Sequence, residues 1–127
     1  VRNVQEVLRS APSPKAAIRN ALVRYADLSS GKKGVRGCFG VLTAAEMLPG
    51  DPDIAEVIKR LFSRLQALFA ATIAKGQAAG EIANRSDPEV IAHFIVSHAQ
   101  GMRVLGKVGS RRDEMLKDAD LLMEMLF

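Results

Sequence analysis

Cysteine, tryptophan and tyrosine are nearly absent from this sequence of 127 residues, which contains one Cys, no Trp and one Tyr. The single Cys38 excludes a disulfide framework and any zinc site built from several cysteines, and it predicts a reducing compartment. No apolar run approaches the ~18–20 residues of a membrane-spanning helix, and residues 1–10 lack the pattern of a signal peptide. We therefore expect a cytoplasmic protein that makes no contact with a membrane.

Alternating β-branched residues are also absent, whereas the good helix formers Ala, Leu, Arg, Glu, Gln and Met are common. Three predicted helices begin with a capping side chain and a proline, at Ser13-Pro14, Asp51-Pro52 and Asp87-Pro88, and a weaker capping box starts at Ser110. The predicted stop signals are Gly31, Pro49-Gly50, Gly80 and Gly109. The predicted helices cover residues 1–9, 14–30, 37–48, 52–79, 87–107 and 111–126. The sequence thus predicts an all-α domain of about five to six helices.

Residues for catalysis or metal binding do not form a recognisable pattern. His93 and His98 are five positions apart and do not share a helix face, and Cys38 lies in an apolar stretch without a flanking histidine. No glycine-rich phosphate-binding motif occurs. We therefore expect no enzymatic activity, no bound metal and no cofactor.

The basic residues are scattered, although the formal net charge is +4 from 18 Lys and Arg against 14 Asp and Glu. They occur in small groups without interleaved aromatic residues, which is typical of solvated surfaces. A small basic protein that binds nucleic acid remains an alternative, and it would require a contiguous positive face.

The helix predicted from Pro88 carries two apolar faces, one of large residues and one of small residues that include Ala99 and Gly101. The last predicted helix is apolar as well. Because one small domain cannot easily cover both sets, we expect a homodimer formed through a four-helix bundle. The predicted interface residues are Val96, Ala99, Gln100, Gly101, Val104, Met115, Ala119, Leu122, Met123 and Leu126.

Three segments resemble the C-terminal domain of TetR/AcrR-type transcriptional regulators. The first is RGCFGVLTAAEMLPGDPD at residues 36–53, in which a Gly-Cys motif opens a short apolar helix that ends in a proline-rich turn. The second is KGQAAGEI at residues 75–82, and the third comprises SDPE at residues 86–89 and QGMRVL at residues 100–105. The resemblance covers about residues 12–127. It implies a helical domain that binds an effector and dimerises.

The helix-turn-helix domain of that family, of roughly fifty residues, has no counterpart in this sequence. We expect residues 1–10 to be the end of the helix that links that domain to this one, and residues 11–127 to be the effector-binding and dimerisation domain. The resemblance implies that DNA is bound only through the missing N-terminal domain.

The resemblance further implies a small-molecule effector within the helices, and the apolar composition of the candidate lining predicts an apolar or amphipathic one. The pocket candidates are Tyr25, Phe39, Leu42, Thr43, Met47, Leu61, Phe62, Leu65, Phe94 and His98. Glu46 could orient the effector, but a structural ion pair with Arg103 is favoured. The alternative function is a dimeric helical module that binds a protein partner through its methionine-rich faces and takes no small ligand.

Overall fold

Five helices make up the parts of the chain that the structure, a computed structural model, describes, namely residues 2–32 and 50–127. No β-strand occurs in these two ranges, which agrees with the predicted all-α class. The helices are α1 (Arg2–Ser10), α2 (Pro14–Ser29), α3 (Pro52–Ala78), α4 (Pro88–Lys107) and α5 (Arg112–Leu126). The predicted helix at residues 37–48 lies outside the described residues.

Three helices begin with the predicted caps. The Ser13 hydroxyl accepts a hydrogen bond from the backbone N–H of Ala16 at the start of α2. The carboxylates of Asp51 and Asp87 accept from backbone N–H groups in the first turns of α3 and α4. These bonds pair donors that have no partner within a helix, and the following proline loses no needed donor.

The predicted capping box at Ser110 is wrong. Helix α5 begins one residue later than predicted, and the carboxylate that caps it belongs to Glu114, which accepts from the backbone N–H of Arg111 at 3.0 Å. Asp113 instead forms an ion pair with the side chain of Arg111.

The end of α3, unlike the start of α5, follows the prediction. Gly80 has a φ of +75°, in the left-handed region that glycine adopts without strain. The chain then turns back, and the backbone N–H of Ile82 donates to the carbonyl of Gly76 at 3.0 Å. The Ile82 side chain folds onto the last turn of α3, where it is fully buried.

Helix α2 is the centre of the domain, because it packs against each of the other four described helices. Its inward face contributes Ile18, Leu22 and Tyr25 to the core. Phe69 and Ile73 come from α3, Ile95 and Ala99 from α4, and Met115 and Ala119 from α5. Both α4 and α5 therefore direct one face towards α2 and leave the opposite face to form a surface.

Gly106 marks a very close approach between α4 and the end of α2. A Cβ atom at this position would overlap the backbone carbonyl of Ser29, and backbone atoms cannot swing aside as a side chain does. We expect Gly106→Ala to lower the free energy of unfolding by about 1–3 kcal/mol, as overpacking typically does. Urea denaturation measures this effect, and a variant as stable as the wild type would contradict the close approach.

Candidate functional site

An exposed stripe of four large apolar side chains, one serine and one glycine runs along α4 and its C-cap residue. Its members follow each other at alternating intervals of four and three residues, which is the spacing of a coiled-coil contact line. They are Val90, Phe94, Ser97, Gly101, Val104 and Val108, and all six are exposed. We call this set the α4 seam. The adjacent Leu105 is exposed too, so α4 presents a broad apolar surface.

Helix α5 carries exposed apolar side chains as well. Its large exposed side chains are Leu121 and Met125. The carboxylate of Asp118 on α5 acts electrostatically on the imidazole of His98 on α4. Isolated exposed apolar residues are common, whereas a set that follows one face of a helix over several turns is typical of an interface.

Six of the ten predicted interface residues are buried within the single chain. They are Val96, Ala99, Met115, Ala119, Leu122 and Met123. The prediction is wrong for Ala99, Met115 and Ala119, which are at most 1% exposed and therefore have no surface to offer a partner. The physical reason is α2, which packs against both α4 and α5 and covers these faces.

The other predicted interface residues have three different locations. Gly101 and Val104 are exposed members of the α4 seam. Leu126 is half-buried and packs against the core. Gln100 lines a groove between α3 and α4.

The α3–α4 groove has a volume of about 380 Å³. Phe62 and Val96 are its apolar residues. Its polar residues are Lys59, Ser63 and Gln66 from α3 and His93, Ser97 and Gln100 from α4. The Oε1 atom of Gln100 is buried and has no hydrogen-bond partner among the described residues.

The predicted pocket residues that the structure describes lie in several different places. Tyr25 and Leu65 are buried in the core, and Leu61 is half-buried. Phe62 lines the α3–α4 groove. Phe94 is 54% exposed on the seam, and its part in the effector pocket stays a prediction. The spacing of apolar residues in the sequence indicated an apolar face of α4 that includes Phe94. It could not show that α2 packs against the opposite face of α4.

The remaining predicted pocket residues, Phe39, Leu42, Thr43 and Met47, lie outside the described residues, as does Glu46 of the predicted ion pair. Arg103, the other member of that pair, has a buried Nε atom with no hydrogen-bond partner in the described part of the chain.

His98 is half-buried on α4. Burial lowers the pKa of His98 below its ordinary value of 6.5, and the negative charge of Asp118 opposes this by raising it. The neutral imidazole therefore predominates at neutral pH. Its Nε2 atom is buried without a partner among the described residues.

The depressed pKa of His98 predicts a loss of stability in acid. Because the folded chain binds this proton less readily than the unfolded chain, the free energy of unfolding should fall as the pH drops below about 6.5. Denaturation between pH 5 and pH 8 measures the slope, which His98→Gln should reduce. His93→Gln changes an exposed histidine on the same helix and is the control; equal slopes in the wild type and His98→Gln would contradict the prediction.

Within the described ranges, no helix is both long and apolar enough to span a membrane. In the same ranges, His, Cys, Asp and Glu do not gather in groups of three or more that could hold a metal ion.

Two curated proteins are similar to the chain over most of its length. The uncharacterized HTH-type transcriptional regulator YezE of Bacillus subtilis (strain 168) is 22% identical over 125 residues, which cover 97% of this chain and 64% of the relative. The HTH-type transcriptional repressor ComR of Escherichia coli (strain K12) is 22% identical over 113 residues, or 89% of this chain and 54% of the relative. The chain thus spans between half and two thirds of these relatives.

Two solved structures of cysteine mutants of the TetR family transcriptional regulator CifR, both complexed with 26-bp double-strand operator DNA, share the fold. The first has a TM-score of 0.86 at 22% identity, over 99% of this chain and 66% of that chain. The second has a TM-score of 0.84 at 24% identity, over 97% of this chain and 64% of that chain.

A family model, described as the tetracyclin repressor-like C-terminal domain, matches residues 14–117, which include α2, α3, α4 and the first residues of α5. The match covers most of the chain. The chain therefore belongs to the TetR family of transcriptional regulators, within the family of tetracyclin repressor-like C-terminal domains.

Proposed function

We propose that this chain is the dimerisation and effector-sensing domain of a TetR-family repressor. The observation that carries the proposal is the α4 seam, an exposed apolar line with coiled-coil spacing on a helix whose other face is already buried against α2. Water contact with such a surface is unfavourable, and a second copy of the chain offers an identical surface.

The proposed interface is a four-helix bundle of α4 and α5 from each protomer. A two-fold axis near Gly101 brings the two α4 helices together at the position where the seam has no side chain. A Cβ atom at Gly101 would meet nothing within 4 Å in its own chain, so the space beside it is open to a partner. Phe94 and Val104 then flank the crossing point, and Leu121 and Met125 of α5 complete the bundle.

We propose that operator DNA is bound by a part of the regulator outside this chain. The solved relatives are complexes with operator DNA, and this chain spans about two thirds of them. An effector regulates such a protein when it binds one arrangement of the dimer more tightly than the other. Couplings of about 1–3 kcal/mol are typical of allosteric proteins.

Protein-partner binding through methionine-rich faces is the less favoured function. Met102, Met115 and Met123 are buried in the core, which leaves Met125 as the exposed methionine of the described part of the chain. Three of the methionines thus fill the interior instead of forming a contact surface.

Sedimentation equilibrium tests the dimer directly. Specific interfaces bury ~1,200–2,000 Å² in total, and we expect this chain to sediment as a dimer at micromolar concentration. A chain that sediments as a monomer over the whole micromolar range would contradict the proposed dimerisation.

A thermal-shift screen tests the sensing role. A ligand at ~100 times its dissociation constant adds about 2.7 kcal/mol of stability to the folded state. We expect apolar and amphipathic compounds to raise the melting temperature. Stabilisation by multiply charged metabolites such as nucleotides, with none by apolar or amphipathic compounds, would contradict this class of effector.

A further inference from the structure

We propose that the α3–α4 groove is a binding site for a small aromatic acid that also carries a hydrogen-bond donor, such as a phenolic hydroxyl. The inference rests on the proposed sensing role and names a site and a ligand class for it. The groove of about 380 Å³ lies within the range of ~300–1,000 Å³ that is common for small-molecule sites.

The two walls of the groove carry matching polar residues. On α3, Lys59, Ser63 and Gln66 follow the spacing i, i+4, i+7, which places them along one face of a helix. On α4, His93, Ser97 and Gln100 have the same spacing. Two helices in contact thus direct a polar stripe towards a shared depression, whereas packed helices ordinarily bury apolar residues there.

The Gln100 side chain requires a hydrogen-bond donor on the ligand. Its Oε1 atom is buried and has no partner among the described residues, although nearly all buried polar atoms in proteins are paired. Two of the neighbouring polar side chains are already engaged, since the Ser97 hydroxyl donates to the carbonyl of His93 and the Gln66 amide donates to Glu89. Gln100 lines the groove, so a rotation of its amide group brings this oxygen to a ligand hydroxyl.

Lys59 supplies the charge that selects an acid. It makes no ion pair with any described residue, unlike the next residue, Arg60, which lies 3.6 Å from the carboxylate of Glu56. Glu89 is the acidic group near the groove, and its carboxylate accepts from the amide of Gln66. A single carboxylate on the ligand is matched by Lys59, whereas a multiply charged phosphate has no further counter-charge among the lining residues.

Phe62 and Val96 favour a flat apolar ring between the carboxylate and the hydroxyl of the ligand. An aromatic ring on the ligand stacks against Phe62, and aromatic pairs contribute about 0.5–1.5 kcal/mol beyond their buried area. The combination of a ring, one carboxylate and one hydroxyl describes a hydroxybenzoate.

The groove also has a direct link to the proposed dimer interface. Ser97 lines the groove and is a member of the α4 seam, so one helix carries both surfaces. A ligand that fixes the distance between α3 and α4 therefore acts on the helix through which two protomers meet.

Isothermal titration calorimetry of the whole chain with 4-hydroxybenzoate tests the site. We expect binding that weakens about tenfold for benzoate, which lacks the hydroxyl donor, and for methyl 4-hydroxybenzoate, which lacks the charge. Equal affinity for the three compounds, or no binding of 4-hydroxybenzoate at millimolar concentration, would overturn the proposal.

Two variants locate the binding within the groove. Gln100→Leu and Lys59→Gln should each raise the dissociation constant of 4-hydroxybenzoate about tenfold. Lys75→Gln removes an exposed lysine elsewhere on α3 and should leave the affinity unchanged. Circular dichroism verifies that the variants are folded. Unchanged affinity in both groove variants would place the binding elsewhere and overturn the proposal.

The same variants separate this inference from the proposed function. If screened compounds stabilise the wild type and Gln100→Leu equally, and 4-hydroxybenzoate does not bind the groove, the chain senses ligands at another site and only the groove assignment fails. If no compound stabilises the wild type, the sensing role itself fails.

Discussion

Gly101→Glu should dissociate the proposed homodimer, with an increase in the dimer dissociation constant of about a hundredfold or more. In the proposed interface the two-fold axis passes near Gly101, so the substitution brings two carboxylates into one close helix contact. Each carboxylate loses water without gaining a counter-charge, and the two repel each other. Within the single chain the added side chain points into open space, and the monomer should remain folded.

Ala74→Glu is the matched control for Gly101→Glu, because it adds the same side chain to an exposed small residue near the C-terminal end of α3. Sedimentation equilibrium should give a dimer for the wild type and for Ala74→Glu, and a monomer for Gly101→Glu. Helical circular dichroism should be equal in all three proteins. A Gly101→Glu protein that sediments as a dimer would show that the protomers meet through another surface.

The helix starts were predictable from the sequence because their causes are local. A capping oxygen and a proline act on amide groups within the next three residues, so Ser13, Asp51 and Asp87 could be assigned without any knowledge of the tertiary structure. The start of α5 was placed one residue early, because Ser110 and Glu114 both offer a capping oxygen and local pattern alone does not choose between them.

The surfaces of α4 were less predictable because they depend on which neighbours cover each face. Periodicity indicated two apolar faces of α4. Ala99 and Gly101 are both small residues, but Ala99 is buried in the core around α2 whereas Gly101 is exposed. The groove was missed for a related reason. Lys59 and His93 are ordinary surface residues in the sequence, and only the contact of α3 with α4 makes them neighbours of Gln100.

Phe69→Ala should lower the free energy of unfolding by about 3–5 kcal/mol, since truncating a buried phenylalanine loses its transfer free energy and leaves a cavity. Phe69 is 0% exposed, and it lies on α3 in the core that forms around α2. Domains are stable by about 5–15 kcal/mol in total. Chemical denaturation should therefore show a much lower midpoint for this variant, and a loss below about 1 kcal/mol would contradict its central position in the core.

Phe94→Ala makes the same chemical change on the α4 seam, where the ring is 54% exposed in the single chain. Its effect should appear in the dimer, so the loss of stability should depend on protein concentration, as linkage between folding and association requires. The effect of Phe69→Ala arises inside each protomer and should persist at every concentration. Denaturation of both variants at several protein concentrations thus separates the two roles of phenylalanine in this domain. An effect of Phe94→Ala that does not vary with concentration would remove Phe94 from the interface.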